Sequence, residues 1–465
     1  MLPERVKPIV DKAGAIAKLF RANDIPIYLV GGSVRDAVIS RDQVAEIPDF
    51  DYTTPARPEL IEKILSPWAD ALWTQGKKFG TIACIKDGIR HEVTTFRSET
   101  YDPDSRKPEV SFGNSLEEDL SRRDFTVNAM ALSLPDLELI DPFNGIGDLG
   151  ALRLATPLSP EISFSDDPLR MMRAARFIAS LDLTPDEALT EAVGKMASRI
   201  EVVSAERTRD ELNRLVTLPN PEKGLWFLVN TGLAEHFLPE LPALALEQDP
   251  IHRHKDVLGH TIAVVCKTQP NLILRLAALF HDVGKPKTRS YENDKVQFHF
   301  HDVVGARMTK KRMSALRYPT SDIESVTKLV ELHLRFHTYK LGWTDKALRR
   351  YARDAGSLLS ELNELTRCDC TTRNEKKAKE LSDRIDEMEV RLSALSEKEE
   401  LASLRPDLDG DEVMELLGLS PSREVGVAMN WLMDLRLDEG PLDKDIVKSR
   451  LLEWWRSRNS GEAET

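Results

Sequence analysis

The sequence predicts an α+β protein in which a mixed α/β head is followed by helical regions. Short segments rich in β-branched or aromatic residues, bounded by Gly, Pro or Asp, fill residues 25–132, and such segments are typical of strands. From Asp167 onward, apolar residues recur at spacings of three and four, which indicates amphipathic helices. Because the chain has 465 residues, of which 41% are hydrophobic, it is long enough for about three packed domains.

The elements of the head are separated by turn residues. A surface helix is predicted over residues 1–20, and the apolar run IPIYLV then ends at Gly31 and Gly32, before the helix-like SVRDAVIS. Further strands are predicted in FDYTT, TIACIKDG and IRHEVTTF. Residues 96–116 are polar and contain two prolines, so we expect a long mobile loop there.

The rest of the chain is predicted to be helical. Helices are expected in PLRMMRAARFIAS, PDEALTEAVGKMASRI and SAERTRDELNRLV, and then in a block from His260 to about Cys370. A long helix over 375–401 carries a narrow apolar stripe, formed by Leu381, Ile385, Met388, Leu392 and Leu395. Prolines near 157–168 mark a boundary. We predict four regions: the head (1–150), a neck and body (151–245), a helical domain (246–375) and a helical C-terminal region (376–465).

Composition excludes several classes of protein. A formal charge of −13 excludes a wholly basic nucleic-acid coat, although it leaves room for a local basic face. Four cysteines, with no zinc-ribbon spacing, exclude a disulfide-built scaffold and favour a reducing cytoplasmic location. No segment approaches the roughly 20 apolar residues of a membrane span. The N-terminus lacks the continuous apolar core of a signal peptide.

Two motifs in the head point to phosphoryl-transfer chemistry. Gly31-Gly32-Ser33 joins a strand to a helix, where backbone N–H groups can approach a phosphate closely, and Arg35 follows in the first helical turn. Asp49 and Asp51 alternate on a strand, so both carboxylates face one side. Such like charges require a cation, and we expect Mg²⁺. Glu92, on another predicted strand, is the candidate third carboxylate of a two-metal site.

These motifs resemble those of a known enzyme family. LVGGSVRD followed by DFD resembles the head of the DNA polymerase beta-like nucleotidyltransferases, and more narrowly the class II tRNA nucleotidyltransferase (CCA-adding) and bacterial poly(A) polymerase family. Four further segments resemble later family motifs in the right order: SRRDFTVNAMAL, DPFNGIGDL, DDPLRMMRAARF and SAERTRDEL. The resemblance implies a polymerase beta-like head with an all-helical neck and body, and an enzyme that takes CTP, ATP and the 3′ end of tRNA.

The resemblance also implies roles for individual residues. Arg123 and Asp124, supported by Asn128, would recognise the ribose, while Asp167 and Arg170 would present an edge that accepts cytosine or adenine. Both residues of the second pair are expected on one helix face. The remaining nucleotide-binding candidates, which would hold the triphosphate or line its turn, are Gly31, Gly32, Arg35, Arg173 and Arg176. The loop candidates Glu99, Tyr101, Asp102, Arg106 and Pro108 resemble the family's flexible loop, whose presence favours full CCA addition.

The helical block contains a second candidate metal site. The adjacent His281 and Asp282, predicted at the glycine-terminated end of a helix, can both reach one ion, which could be Mn, Ni, Fe, Zn or Mg. The block resembles an HD phosphohydrolase domain, which implies His260, His281, Asp282 and Asp369 as main ligands and His301 and His333 as auxiliary ones. The alternative is a degenerate HD fold that packs without binding metal.

Template-independent CCA addition to tRNA, with release of pyrophosphate, is therefore the predicted function. A poly(A) polymerase, or an enzyme that adds only CC or only A, would keep the same motifs. Two alternatives come from other classes. One is an HD metal phosphohydrolase with a vestigial head, which the intact head motifs argue against. The other is an RNA-binding protein without turnover, in which three inward carboxylates would repel RNA. The nucleotide order, the HD substrate and the oligomeric state stay open.

Overall fold

The computed structural model of the protein describes most of the chain. The described residues are 7–39, 49–100, 109–113, 115–246, 256–292, 295–338, 343–370, 375–399, 405–440 and 442–461. They divide into two compact units, one formed by Met1–Ala245 with Arg312–Tyr318 and the other by Leu246–Lys311 with Pro319–Thr465. In these ranges, every helix is too short or too polar to cross a membrane.

The first unit begins with the predicted α/β head. Its helices and strands, in chain order, are α1 (Lys7–Ala22), β1 (Ile27–Val30), α2 (Gly32–Val38), β2 (Asp49–Thr54), α3 (Pro58–Leu65), β3 (Ala71–Trp73), β4 (Thr81–Lys86), β5 (Ile89–Thr95), β6 (Arg97–Thr100), β7 (Glu109–Phe112), α4 (Leu116–Ser121), β8 (Ala131–Leu134), β9 (Leu139–Ile140) and α5 (Gly145–Gly150). Short 3-10 helices cover Lys77–Phe79 and Thr126–Asn128. The strands predicted from FDYTT, TIACIKDG and IRHEVTTF are confirmed as β2, β4 and β5.

One sheet organises the head. Within the described residues its strand order is β3-β4-β5-β2-β1-β8-β9, and only the β2–β5 pair in it is parallel. One face packs on α1 and α3, where Phe20, Ile61 and Phe50 are fully buried. On the opposite face, α4 and the segment after it cover β1 and β8 through Leu120 and Val30. In the first half of β2, Phe50 and Tyr52 are buried on the face that packs on α1 and α3, while Asp49 and Asp51 alternate with them on the accessible face.

The first unit continues as the predicted helical neck and body. The elements are β10 (Arg153–Leu154), α6 (Pro160–Asp166), α7 (Leu169–Leu181), β11 (Thr184–Pro185), α8 (Glu187–Met196), α9 (Ala205–Val216), α10 (Glu222–Asn230) and α11 (Leu233–Phe237), with 3-10 helices at Ala197–Val202 and Pro242–Leu244. The short parallel pair β10–β11 was not predicted. At two residues each, these strands are too short for a period-two pattern to be visible in the sequence.

The second unit is mostly helical. Its elements are α12 (Val257–Lys267), α13 (Leu272–Phe280), α14 (Lys285–Thr288), β12 (Arg289–Glu292), β13 (Lys295–Phe298), α15 (His301–Ala315), α16 (Thr320–Leu332), α17 (Arg335–Thr338), α18 (Asp345–Ala355), α19 (Leu359–Asp369), α20 (Glu375–Glu399), α21 (Gly410–Leu417), α22 (Arg423–Glu439) and α23 (Lys444–Gly461), with a 3-10 helix at Gly356–Leu358. Of the five stripe residues predicted on α20, Ile385, Met388, Leu392 and Leu395 are buried, whereas Leu381 is partly exposed.

Three sequence predictions need correction. The expected loop over 96–116 contains the antiparallel strand pair β6–β7, which was not predicted because β6, with the sequence RSET, lacks the apolar alternation that indicates a strand. Likewise, the block predicted as helical contains the hairpin β12–β13, whose strands are separated by two residues. The helix before the HD motif ends at Phe280 and not at Gly284, so His281 and Asp282 lie in the turn that follows it.

Candidate active site and metal centre

The two aspartates of the DFD motif are presented on one face of the head sheet. Phe50 and Tyr52, between and after them, are buried on the other face. The parallel register sets Glu92 opposite Asp51 and Arg90 opposite Asp49. Loss of hydration raises the pKa of Asp51, and the nearby charges of Glu92 and Asp49 add to this shift while Arg123 opposes it. The carboxylates therefore form a locally acidic group, although the Glu92 side chain is ion-paired with Arg90 at 2.5 Å.

The glycine turn lies directly beside this acidic group. Gly31 adopts φ 72°, a left-handed backbone that favours glycine. A Cβ placed on Gly31 would lie 3.6 Å from both Asp51 Oδ2 and Arg123 Nη1. The turn therefore brings the start of α2 against the catalytic candidates, as the sequence predicts, and a side chain at this position would project towards both of them.

A cleft rich in arginine opens next to Asp51. Its volume is about 450 Å³. The residues that line this arginine cleft are Gly31, Gly32, Arg35, Asp51, Arg122, Arg123, Asp124, Asn128, Asp167, Leu169, Arg170, Arg173, Arg176, Phe177 and Arg207. All the nucleotide-binding candidates of the sequence analysis are among them, and seven arginines face only three aspartates. Such an excess of guanidinium groups suits a polyanionic ligand, because arginine forms charge-assisted hydrogen bonds with phosphate.

A buried aspartate holds two of these arginines in place. Asp119 in α4 is fully buried, and it accepts hydrogen bonds from Arg122 Nη2 at 2.6 Å and from Arg123 Nη2 at 3.3 Å. Thr53 Oγ1 donates to the same carboxylate at 3.0 Å. Burial raises the pKa of Asp119, but the charges of Arg122 and Arg123 outweigh burial and hold this pKa below its ordinary value. Asp119 was not predicted from the sequence, although its spacing of three and four residues from Arg122 and Arg123 could have indicated it.

The proposed ribose residues form a continuous network with the glycine-turn helix. Arg35 Nη1 donates to Asn128 Oδ1 at 2.8 Å, and Asn128 Nδ2 donates to Asp124 Oδ1 at 2.9 Å. Arg173 Nε donates to Asp124 Oδ2 at 2.9 Å. Burial opposes ionisation, but the charge of Arg173 and these hydrogen bonds hold the pKa of Asp124 below its ordinary value. Asp124 is thus an ionised acceptor whose position is fixed from two directions.

A second buried carboxylate anchors the arginine row on α7. Glu211 in α9 is 3% exposed and accepts a hydrogen bond from Arg176 Nε at 2.8 Å. Arg173 Nη1 lies 3.6 Å from the same carboxylate. Phe177 is packed among guanidinium groups, with the Arg176 group 4.4 Å from the ring centroid. Glu211 was also missed, since it lies 35 residues from Arg176 in sequence and no local spacing connects them.

The two residues proposed to read the base do not share a helix face. Asp167 lies before α7 with an extended backbone, and only Arg170 is in the helix, because Pro168 occupies the cap position between them. Asp167 Oδ2 accepts from Arg207 Nη2 at 2.9 Å. Arg170 is 9% exposed, and it donates to Ser163 Oγ at 2.8 Å and to the Arg122 carbonyl. Both still line the arginine cleft, and their role in base choice stays a prediction.

The HD residues of the second unit converge at the ends of different helices. His260 lies in α12, His281 and Asp282 follow α13, and Asp369 ends α19. His260 Nε2 is 2.8 Å from Asp369 Oδ1, and His281 Nε2 is 3.2 Å from Asp282 Oδ2. His301 starts α15 and His333 caps α16. Among the described residues, candidate metal ligands gather in two groups, one of His260, His281 and Asp369 and the other of Asp282, His301 and His333. We call these six residues the HD centre.

Backbone carbonyls orient three of the imidazole rings of the HD centre. The Nδ1 atoms of His281, His301 and His333 lie 2.6–2.8 Å from the backbone carbonyls of Ala278, Phe298 and Val330, which fixes Nδ1 as the donor. The Nε2 atoms are therefore the candidate ligand atoms, and a metal ion would replace any proton that they carry. Although burial opposes protonation, Asp282 and Asp369 raise the pKa of His281 to about 10. The buried Nε2 of His333 has no hydrogen-bond partner among the described atoms. This donor set fits a divalent cation.

Comparison with known proteins identifies the family. The A-adding tRNA nucleotidyltransferase of Deinococcus radiodurans is 36% identical over 423 residues, which cover 88% of this chain and 91% of that protein. The chain belongs to the tRNA nucleotidyltransferase and poly(A) polymerase family. The CCA-adding enzyme of Streptococcus thermophilus is 40% identical over 237 residues, 51% of this chain and 56% of its own length. The matched segment thus spans only about half the length of that relative.

Domain families and solved structures agree with this membership. The poly A polymerase head domain matches residues 27–155, the probable RNA and SrmB-binding site of polymerase A matches 182–244, and the HD domain matches 257–374. The crystal structure of the Bacillus stearothermophilus CCA-adding enzyme in complex with CTP has a TM-score of 0.69 at 20% identity, covering 99% of this chain and 100% of its own. This likeness confirms the nucleotidyltransferase fold with a helical body and an HD domain.

Three sets of inferences from the sequence stay predictions. The catalytic, nucleotide-binding and metal-binding roles of the individual site residues are the first. The four domain boundaries are the second, since the two compact units do not separate the head from the neck and body. The flexible-loop candidates are the third: Tyr101, Asp102, Arg106 and Pro108 lie outside the described residues, and Glu99 is described only as part of β6.

Proposed function

We propose that this tRNA nucleotidyltransferase completes the CCA end of tRNA from CTP and ATP, without a nucleic-acid template, and releases pyrophosphate. The observation that carries the proposal is the arginine cleft, which begins at the Asp51 carboxylate and contains the residues expected to bind a nucleoside triphosphate. Relatives named CCA-adding enzymes, and a structural neighbour described as complexed with tRNA-CCA, support the same substrate. We expect a cytoplasmic enzyme.

Asp49 and Asp51 would hold divalent metal ions, and Mg²⁺ is the ion that we propose. Two carboxylates on one face of β2 provide the oxygen ligands that Mg²⁺ prefers. Burial is the main cause of the raised pKa of Asp51, and a cation would compensate the negative charges of Glu92 and Asp49 that add to it. Bound metal would activate the attacking hydroxyl and neutralise charge on the triphosphate. Glu92 would be the third ligand, and it would first have to leave Arg90.

The chain's own residues would position the nucleotide. Arg123, Arg173 and Arg176 are held by buried carboxylates, so their guanidinium groups are ordered before a triphosphate arrives. Asp124 would accept a hydrogen bond from a ribose hydroxyl, since it is ionised and already fixed by Asn128. Catalysis of phosphoryl transfer consists largely of such positioning and charge stabilisation.

Two further residues that line the arginine cleft would choose the base. We propose that Asp167 offers acceptors and Arg170 offers donors to the Watson–Crick edge of cytosine or adenine. Arg170 now donates to Ser163 and to the Arg122 carbonyl, so at least one of its donors would have to be shared with the base.

The test uses purified protein and three tRNAs with different 3′ ends. The first ends at the discriminator base, the second ends after one added C, and the third ends after two. Each is incubated with CTP, with ATP and with both, and the products are sequenced. CCA addition predicts that all three tRNAs gain the missing nucleotides and then stop. Addition of a long adenosine tail would instead identify a poly(A) polymerase, and no extension of any tRNA would refute the proposal.

A second candidate is addition of A alone. It is favoured by the relative that matches along most of both chains, because that protein is named an A-adding tRNA nucleotidyltransferase. In the same assay, an A-adding enzyme extends only the tRNA that already ends in CC, and it does not use CTP.

We further propose that the HD centre binds a divalent metal ion and hydrolyses phosphate esters. The three imidazoles with fixed Nε2 ligands and the carboxylates of Asp282 and Asp369 support this proposal. Metal analysis of the purified protein, together with hydrolysis of p-nitrophenyl phosphate and bis-p-nitrophenyl phosphate, tests it. A degenerate centre would contain no metal and would hydrolyse neither compound.

A further inference from the structure

A second cavity lies on the same face of the head sheet as Asp49 and Asp51. Its volume is about 560 Å³, within the usual range of ligand pockets. We call it the sheet-face pocket, and its lining residues are Trp73, Gln75, Gly76, Thr81, Ala83, Ile85, Arg90 and Glu92. Of these, only Glu92 figured in the sequence analysis.

Strand register connects this pocket to the candidate catalytic residues. Trp73 pairs with Ala83, Ala83 pairs with Glu92, and Glu92 pairs with Asp51, so these four residues form one row across the sheet. Since neighbouring strands are about 4.8 Å apart, Trp73 lies roughly 14 Å from Asp51 along this row. The pocket thus begins at Glu92 on β5, one strand away from Asp49 and Asp51 on β2. It extends across β4 towards β3, away from the arginine cleft.

The lining of the sheet-face pocket differs from that of the arginine cleft. Trp73 is 40% exposed, whereas its neighbour Leu72 packs towards the core on the other face of the sheet. Ala83, between Trp73 and Glu92, is too small to fill the space over the sheet. Arg90 is the one basic residue that lines the pocket, and it is paired with Glu92. This pocket therefore suits an aromatic base with few charges, and not a triphosphate.

The geometry of phosphoryl transfer requires two binding regions on opposite sides of the metal site. The attacking hydroxyl and the leaving pyrophosphate lie roughly in line through the phosphorus atom. If the arginine cleft holds the triphosphate, the RNA must approach Asp49 and Asp51 from the other side. The sheet-face pocket lies on that side. An accessible tryptophan there is a stacking platform for an unpaired base, and such stacking accepts any base.

We propose that the sheet-face pocket binds one of the last unpaired nucleotides of the RNA acceptor end, with its base stacked on Trp73. This inference rests on the proposed function, because it assigns the RNA side of the same reaction. It makes Trp73 a substrate-binding residue and Ala83 the floor on which the nucleotide lies. Arg90 would contribute a cation to the RNA backbone.

Fluorescence of 2-aminopurine, which falls when the base stacks, tests the proposal directly. The probe is placed in turn at each of the last three positions of a tRNA that ends in CC, and the full-length protein is added without nucleotide. We expect quenching at one position with the wild-type protein and with Trp73→Phe, and its loss with Trp73→Ala. Leu60→Ala is the matched control, since Leu60 is similarly exposed on α3, which covers the opposite face of the sheet.

Steady-state kinetics on the same preparations provides a second measure. Trp73→Ala should raise the KM for tRNA by roughly 5- to 100-fold, which corresponds to about 1–3 kcal/mol of stacking. The KM for nucleotides should stay within about twofold of the wild-type value. Ala83→Leu, which fills the pocket and removes no polar contact, should have the same effect. Melting temperatures identify any variant that fails to fold.

The outcomes separate this inference from the proposed function. Quenching that persists in Trp73→Ala, or that is absent at all three positions in the wild type, would overturn the pocket assignment. So would an unchanged KM for tRNA in both Trp73→Ala and Ala83→Leu. Failure of the wild-type protein to extend any tRNA would instead refute the proposed function, and the fluorescence result would still decide whether the pocket binds RNA.

Discussion

The arginine cleft and the HD centre both depend on carboxylates, but they balance the charge of those carboxylates by opposite means. In the cleft, arginines compensate the carboxylates of Asp119, Asp124 and Glu211, and positive charge remains in excess. In the HD centre, the compensating groups around Asp282 and Asp369 are mainly imidazoles, one of which has its pKa raised to about 10. The difference indicates that the cleft is built to receive an anion and that the centre is built to receive a cation.

The two sites are also positioned by different kinds of structure. The register of β2 and β5 places Asp51 and Glu92, so adjacent carboxylates follow from strand alternation alone. The HD ligands come from the ends of several helices, with their ring nitrogens fixed by the last carbonyls of the preceding turns. If this contrast is correct, each site can be disabled without loss of the other.

The largest expected effect is on the head carboxylates. Asp49→Ala or Asp51→Ala should lower kcat for nucleotide addition at least roughly a thousandfold, because several kcal/mol of charge stabilisation by metal would be lost. Binding of tRNA should change by less than about threefold, since these residues serve the chemistry. The control is Asp70→Asn, which removes an exposed carboxylate from the same head. Turnover like that of the wild type in either alanine variant would end the assignment, and a small effect of Glu92→Ala would remove Glu92 from the metal site.

The second prediction concerns the HD centre. His281→Ala combined with Asp282→Ala should remove bound metal and lower any hydrolysis of phosphate esters at least about a hundredfold, because ligands from both groups are lost. Nucleotide addition should stay within about twofold of the wild-type rate. His236→Ala, which alters a partly exposed histidine paired with Glu201, is the control.

The fold of the double variant must be established by its melting temperature, because both replaced side chains are fully buried. If it unfolds, His260→Ala serves in its place, since that residue is partly exposed. Loss of nucleotide addition in a folded variant would show that the two sites are not independent.

Base choice gives the third prediction. Arg170→Ala should raise incorporation of UTP or GTP relative to CTP and ATP by roughly 10- to 100-fold, because one good base contact contributes about 1–3 kcal/mol of discrimination. A purely structural role is the competing explanation, since Arg170 is buried and donates to Ser163 and to the Arg122 carbonyl. That role predicts a lower melting temperature with an unchanged ratio of C to U. The ratio and the melting temperature are therefore measured on the same preparation.

Sequence patterns predicted local features better than distant pairings. The alternation in DFD placed Asp49 and Asp51 on one face, because strand geometry is fixed over a few residues. In contrast, Glu211 anchors Arg176 across two helices, and this pairing depends on tertiary packing. The shared helix face of Asp167 and Arg170 was wrong for a local reason, since α7 begins at Leu169, Pro168 is its cap residue and Asp167 has an extended backbone. The row from Trp73 to Asp51 needed the observed strand order, which no single strand reveals.

The smallest expected effect tests whether preordered arginines matter. Glu211→Gln keeps the shape of the side chain but removes its charge, so its hydrogen bond with Arg176 and its ion pair with Arg173 should together weaken by about 1–1.5 kcal/mol. We expect the KM for CTP and for ATP to rise alike, roughly 5- to 10-fold, because contacts with phosphate contain no information about the base. The ratio of C to U incorporation should not change, in contrast to Arg170→Ala. The matched control is Glu206→Gln on the exposed side of the same helix, α9. A change in the ratio of C to U, or an equal effect of the control, would mean that Glu211 does not act through the phosphate-binding arginines.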